Sequence, residues 1–325
     1  MKVTYDVLVG DNRDTIKSLP DESVNTVVTS PPYFGLRDYN QENQIGLEKT
    51  PEEFVQALVE VFREVRRVLR NDGTVWLNLG DSYAGSGKNR NADGSSNKKG
   101  IKGTKQGTSQ GTILGDLRPV KANEIGLKPK DLIGIPWMVA FALRADGWYL
   151  RQDIIWNKPN PMPESVKDRC TKAHEYIFLL SKSKKYYYDY EAIKQPVKQD
   201  WGTRDRTNGK YHNSGTGLQP HSGLEKSYET ANKRSVWTVP PKAFKGAHFA
   251  TFPPELIEPC ILAGCPEGGT VLDPFGGSGT TAGVAYLHDR NSILCELNPE
   301  YAEMVERRIE GIIEGKRTLG AILPL

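Results

Sequence analysis

The chain has 325 residues, 37% of them apolar and 26% charged, with a net charge of +3. That composition is ordinary for a soluble globular protein and allows one large α/β domain with insertions, or two modest domains. The mild basicity permits a polyanionic partner without requiring one, so a nucleic-acid case rests on where the charges sit. The four cysteines form no CxxC pair and the five histidines no HxxxH or Cys/His cluster. This argues against a structural zinc site and for reduced, mostly buried thiols in a cytoplasmic protein.

The N-terminal "MKVTYDVLVGD" enters a strand pattern at once, with no signal-peptide apolar region, and no apolar run approaches a membrane span. Tyr5 to Asp11 reads as a buried strand closing on Gly10-Asp11. Asp11 is either a turn carboxylate or an acceptor toward an amino or hydroxyl group of a bound cofactor. Val24 to Ser30 is a second strand, and it leaves the sheet through Ser30-Pro31-Pro32-Tyr33. Two prolines fix successive φ angles and restrict Ser30, so the corner is stiff and extended. It offers carbonyl acceptors, a hydroxyl and a ring, held rigidly, which suits a flat ligand carrying an amino group.

Pro51 to Arg70 is a helix, with Phe54, Leu58, Val61, Phe62, Val65, Val68 and Leu69 at helical spacing and Asn71-Asp72-Gly73 as its stop. Thr74 to Asp81 is a buried strand. Residues 85–115 are rich in Gly, Ser and Asn, and carry Lys88, Arg90, Lys98, Lys99, Lys102 and Lys105 against Asp93. The stretch is either a solvated disordered loop or a mobile arm that orders on a phosphate backbone. Asp131 to Ala145 is a helix. "WYLRQDIIWNK" and "HEYIFLLSKS" are strands, and "KYYYD" is expected to form a hairpin with the latter. Residues 193–235 are polar and basic. Arg204, Arg206, Lys210, His212, His221, Lys226, Lys233 and Arg234 are interleaved there with Trp201, Tyr211 and Tyr228. Phosphate positioning and base contacts need such a mixture.

Pro253 to Cys265 reads as a helix. "VLDPFGGSGTT", Val271 to Thr281, is a strand that opens through glycines into another helix. That geometry sets backbone N–H groups and a positive helix end against an anion. No Gly-Lys-Ser/Thr follows, and the spacing is not G-x-G-x-x-G, so neither a P-loop nor an NAD fingerprint is present. The next strand ends in Glu296, roughly 20 residues on, where an acid accepts ribose hydroxyls. A tight strand-to-helix corner explains the glycines alone. Glu296 at this spacing favours a nucleoside with a small acid group, and S-adenosylmethionine fits, ribose to Glu296 and amino-acid end to the glycine turn. Strand and helix alternate throughout, so the fold class is α/β with a mostly parallel sheet.

Ser30-Pro31-Pro32-Tyr33 early, Asp273-Pro274-Phe275-Gly276-Gly277-Ser278-Gly279 late and a basic segment between them resemble the amino-directed DNA methyltransferases. The order matches the permuted group, in which the catalytic motif precedes the cofactor motif. "GTVWLNLGDSY", "DIIWNKPNPMP", "HEYIFLLSKS" and "HFATFPPELI" resemble its intermediate motifs, so the likeness covers nearly the whole chain. The resemblance implies a Rossmann-like sheet with an antiparallel hairpin, and a catalytic part at 1–192. A target-recognition segment would lie at 193–235 and the cofactor part of the same domain at 236–325. It assigns S-adenosylmethionine to Asp11, to the turn Asp273, Pro274, Phe275, Gly276, Gly277, Gly279 and Thr280, to Glu296, and to His248 and Phe249. It makes the Ser30 hydroxyl and Pro31 carbonyl acceptors for an exocyclic amino group, with Pro32 holding the corner and Tyr33 stacking on a base flipped from double-stranded DNA. Phe34 either walls the pocket or packs in the core. Lys88, Arg90, Lys98, Lys99, Arg204, Arg206 and Lys210 would contact DNA. Within the group serine leans toward cytosine N4 and aspartate toward adenine N6, with exceptions both ways. No Pro-Cys nucleophile of a cytosine-C5 enzyme is evident. The alternatives are an adenine-N6 enzyme, an RNA or protein-amide methyltransferase, and a non-catalytic DNA-binding module. Relatives often dimerise, so a homodimer stays open.

Overall fold

The computed structural model describes residues 3–36, 38–39, 41–85, 122–197, 229–242 and 252–322. The elements in chain order are β1 (Tyr5–Val9), α1 (Asn12–Thr15), β2 (Val24–Thr29), α2 (Pro51–Val68), β3 (Leu69–Leu79), α3 (Ile135–Ala145), β4 (Tyr149–Asn157) and β5 (His174–Ser181). There follow β6 (Gln195–Pro196), β7 (Thr230–Ala231), β8 (Val236–Thr238), α4 (Pro254–Gly264), β9 (Thr270–Asp273), α5 (Thr280–Leu287), β10 (Asn291–Glu296), α6 (Pro299–Ala302) and α7 (Val305–Ile322). Eight strands form one sheet in the order β1-β10-β9-β2-β3-β5-β4-β8. From β1 to β3 every neighbour is parallel, while β5 runs antiparallel to both β3 and β4. The last two long strands in the chain, β9 and β10, thus sit between the first two.

Alternation along the strands buries both faces. On one, Val75, Leu77, Phe178 and Leu180 meet Phe54, Leu58, Phe62 and Val65 of α2 and Val139 and Leu143 of α3. On the other, Trp76, Ile177 and Leu179 meet Leu256, Ile257 and Ile261 of α4. A reciprocal cap starts α2: Thr50 Oγ1 accepts from Glu53 N at 3.2 Å, and Glu53 Oε2 from Thr50 N at 3.3 Å. Cys260, Cys265 and Cys295 are buried thiols, whereas Cys170 is exposed. Among the described residues no helix is long and apolar enough to cross a membrane. No group of His, Cys, Asp and Glu among them is arranged to hold a metal.

Three elements differ from the sequence expectation. The helix α2 ends at Val68, and Asn71-Asp72-Gly73 lies inside β3. The β2–β3 register jumps from Val24 opposite Leu69 to Thr26 opposite Thr74, so the turn-forming tripeptide is absorbed as an irregularity in the strand. The helix α3 begins at Ile135, because 131–133 pair with the chain leaving β3. Ala84 N donates to Asp131 O at 2.9 Å and Ile133 N to Ser82 O at 3.0 Å. The Asp81 carboxylate then caps α3, accepting from Gly134 N at 3.0 Å and Ile135 N at 3.2 Å. Finally, "KYYYD" makes no hairpin. Both edges of β5 are already taken by β3 and β4, so this stretch crosses the sheet end instead, with Tyr188 stacked on Trp76 at 6.1 Å between ring centroids.

Candidate active site

One cavity of about 430 Å³ opens at the carboxyl ends of the parallel strands, where open α/β sheets bind their ligands. Asp11, Ser30, Pro31, Pro32 and Tyr33 line it, as do Asp273, Pro274, Phe275, Gly276, Gly277, Thr280 and Glu296. Residues that the sequence places far apart thus share one wall, because β2 and β9 are neighbours.

At the cofactor end, Gly276 N donates to Cys295 O at 2.8 Å, pulling the turn onto β10. A Cβ on Gly276 would fall 2.8 Å from the Leu294 Cβ, and one on Gly279 2.8 Å from Val305 Cγ1. Gly277 and Gly279 also hold φ of +53° and +90°, which glycine adopts without penalty. The Glu296 carboxylate accepts from Gly277 N at 2.7 Å and Asn298 N at 2.8 Å. Each oxygen retains a lone pair for a ligand hydroxyl. Burial pushes the Glu296 carboxyl up, against the pull of those backbone donors. Asp11 caps α1 and pairs with Arg13 at 2.5 Å. Burial raises the Asp11 carboxyl, but the Arg13 hydrogen bonds and charge outweigh it and hold it below its ordinary value. Asn12, not anticipated from sequence, donates its Nδ2 to Pro274 O at 2.9 Å.

Asp273 does not face a ligand alone. Its buried carboxyl accepts from Thr29 Oγ1 and Thr281 Oγ1, each at 2.6 Å, and from Phe275 N at 3.1 Å. Burial nevertheless pushes it up to about 6. Thr29 immediately precedes Ser30, so this contact ties the catalytic strand to the glycine turn.

At the other end, the Ser30 corner is braced by a second loop. Gly35 N donates to Gly46 O at 2.8 Å, and Gly46 N to Glu48 Oε2 at 2.8 Å. The Tyr33 ring lies on Gly80, where a Cβ would fall 2.4 Å from Cε2. Its hydroxyl donates to Glu175 Oε2 at 2.6 Å. Asn78 Nδ2 donates to Tyr176 O at 3.0 Å, and Lys158 Nζ pairs with Glu175 Oε1. Asn78, Trp156, Lys158 and Glu175 line the cavity and were missed as site residues. Cross-strand register was the signal: Trp156 sits opposite Glu175 and Asn78 opposite Ile177, so one face carries them all. Phe34 is no pocket wall. It is 3% exposed and packs on Phe54 at 5.7 Å, since the chain turns inward there. His248 and Phe249 lie outside the described residues, as do Lys88, Arg90, Lys98, Lys99, Arg204, Arg206 and Lys210.

A family model described as DNA methylase, of N6 and N4 type, matches residues 24–307. The chain belongs to this DNA methylase family. It is 45% identical over 302 residues to the Type II methyltransferase M.Cfr9I of Citrobacter freundii, covering 93% of this chain and 86% of that one. Its fold is similar to the cytosine-N4-specific PvuII DNA methyltransferase, with a TM-score of 0.61 at 20% identity over 96% and 93% of the two chains. It is also similar to the modification methylase TTHA0409 of Thermus thermophilus in complex with S-adenosyl-L-methionine. There the TM-score is 0.56 at 24% identity, over 96% and 97% of the two chains. This methylase is an S-adenosylmethionine-dependent DNA amino-methyltransferase. The donor set fits that cofactor: a side-chain-free turn, a carboxylate with spare lone pairs, and a buried Ser278 Oγ with no partner among the described residues.

Two predictions follow from this geometry. A carboxyl whose folded pKa is raised leaves the native state holding a proton that the unfolded chain has released. Stability therefore falls as pH rises between the ordinary value of 3.8 and about 6. Urea midpoints for wild type minus Asp273→Asn should drop across that window and level off above it, and a flat difference would refute the raised carboxyl. Gly80→Ala should displace Tyr33 and lower methyl-transfer turnover by roughly tenfold or more, since misplacing a positioning group by about 1 Å costs up to 10². Cofactor affinity, measured by calorimetry, should stay unchanged.

Proposed function

We propose that this methylase transfers a methyl group to the exocyclic N4 of a cytosine flipped out of double-stranded DNA, as the modification half of a restriction–modification pair. The observation that carries the reading is the position of Ser30, one strand from the glycine turn and at the lip of the same cavity as Tyr33. Serine at this motif position leans toward cytosine N4, and the PvuII enzyme of similar fold is cytosine-N4-specific. The M.Cfr9I relative is a Type II methyltransferase, which supports the restriction–modification setting.

When bound, S-adenosylmethionine supplies a methyl group on a positively charged sulfur. Ser30 Oγ and Pro31 O accept the two amino hydrogens and hold the nitrogen lone pair toward that methyl, with no base required to remove a proton first. Pro32 keeps the corner from relaxing, and Tyr33 stacks on the flipped base. Glu296 and Asp11 take the ribose and polar groups of the cofactor, and the glycine turn takes its amino-acid end.

Segments 86–121 and 198–228 carry the basic residues read as DNA contacts, the second as the target-recognition part. Hydrogen bonds close the neck of each segment, Ala122 N to Gly85 O at 3.3 Å and Val197 N to Glu229 O at 3.0 Å. The reading places the enzyme in the cytoplasm, with a homodimer as the assembly the family resemblance suggests.

DNA from a methylation-free host expressing the chain, digested and resolved by mass spectrometry, should contain N4-methylcytosine. N6-methyladenine would overturn the base, and neither would overturn the DNA reading. Ser30→Ala should cut turnover on the order of a hundredfold with cofactor affinity intact. Glu296→Ala should instead raise the cofactor KM by roughly tenfold, and parallel losses in both constants would remove the division of labour.

A further inference from the structure

Lys158 follows β4, four strands along the sheet from β9 and its glycine turn. At about 4.8 Å per strand that is roughly 19 Å, so its ammonium serves the Tyr33 end of the cavity. One N–H is taken by Glu175 Oε1, and Nζ lies 4.1 Å from the centroid of the Trp156 ring. An ammonium has three donors, which leaves one for the cavity that Lys158 lines. Glu175 also accepts from Tyr33 through its other oxygen, so a single carboxylate holds both the stacking ring and the ammonium. That pairing cancels the lysine charge locally. A phosphate or carboxylate would meet the Glu175 anion beside the donor, whereas a neutral acceptor meets only the donor.

We propose that Lys158 donates to the ring nitrogen beside the amino-bearing carbon of the flipped base, N3 in cytosine, with Glu175 as the positioning residue that aims it. The inference rests on the reading of a flipped base in this cavity. An amino base presents, side by side, amino hydrogens that need acceptors and a ring nitrogen that needs a donor. Ser30 and Pro31 meet the first need and Lys158 the second. Thymine and uracil reverse both groups, so their N3–H would face an ammonium and their O4 would face acceptors. The pocket thereby rejects them through unpaired buried polar atoms. In adenine, N1 stands in the same relation to N6, so the assignment does not depend on which amino base is the target.

The test is a cycle between enzyme and substrate. The methylated base is identified by nucleoside mass spectrometry and its sequence context by sequencing of the modified DNA. Duplexes are then made with that base or its deaza analogue at the target position, 3-deazacytosine or, for adenine, 1-deazaadenine. Wild type should methylate the analogue roughly tenfold more slowly in single turnover. Lys158→Met should be slowed by a similar factor on the natural base, with no further loss on the analogue and unchanged cofactor affinity. In Glu175→Gln the analogue penalty should shrink, because the ammonium is no longer aimed. A penalty in Lys158→Met equal to that of wild type would overturn the proposal. So would a wild-type enzyme indifferent to the analogue, which decides the matter even if the variant fails to fold. DNA carrying no modified base would instead defeat the underlying reading of function.

Discussion

The hydrogen bond from Thr29 Oγ1 to Asp273 Oδ1 is the join on which the site depends. It links adjacent parallel strands whose carboxyl ends lead into the two halves of the chemistry, the Ser30 corner and the glycine turn. Backbone pairing alone sets the height of β2 against β9 through few partners, Thr26 with Val271 and Val27 with Leu272. Beyond those the ladder stops, and the side-chain contact carries the register to the point where the strands release their loops. Asp273 reaches further, to Thr281 in the first turn of α5 and to Phe275 N within the turn itself. A buried carboxyl with three donors is rigid, and its desolvation is the cost of that rigidity.

From this join the cavity has two ends of different character. Toward β10 it is built from backbone: glycines without side chains, N–H groups, and Glu296 holding both sides of the turn. Toward β5 and β4 it is built from side chains on one sheet face. The inversion of β5 matters here. An antiparallel strand presents its first residues at the same end as the last residues of its neighbours, so Glu175, second in β5, meets Asn78 near the end of β3 and Lys158 just past β4. An all-parallel sheet would need a loop to bring an acid to that spot, and loops hold side chains less firmly than strands do.

Much of this was legible in the sequence, for reasons that can be named. The turn after β9 announces itself because close approach to Leu294 and Val305 excludes any side chain but glycine's. The Ser30 corner does so because two prolines have few other uses at a strand end. Both are local constraints, written in consecutive residues. The Tyr33–Glu175 contact spans 142 positions and depends on register, which no local pattern encodes. The misread elements share that cause. Asn71-Asp72-Gly73 has turn chemistry, but parallel pairing with β2 continues past it. The "KYYYD" stretch has strand chemistry, but no free edge of β5 remains to accept it. Phe34 suits a pocket wall by type, and only its approach to Phe54 shows that it belongs to the core.

On the reading of Ser30 as the acceptor for the amino group, its neutrality has a physical consequence. Positive charge begins on the cofactor sulfur and ends on the amino nitrogen. A carboxylate at position 30 would attract that charge at both stages, stabilising bound reactants as well as the transition state, and uniform stabilisation does not speed the chemical step. A hydroxyl and a proline carbonyl are dipoles whose pull falls steeply with distance. They do little for a charge still on sulfur and more as it arrives on the nitrogen whose hydrogens they already hold. Such dipoles must be fixed before the charge moves, since turning them during the reaction would consume the gain. The Pro-Pro corner, the Gly46 brace and the Thr29–Asp273 join are the features that fix them.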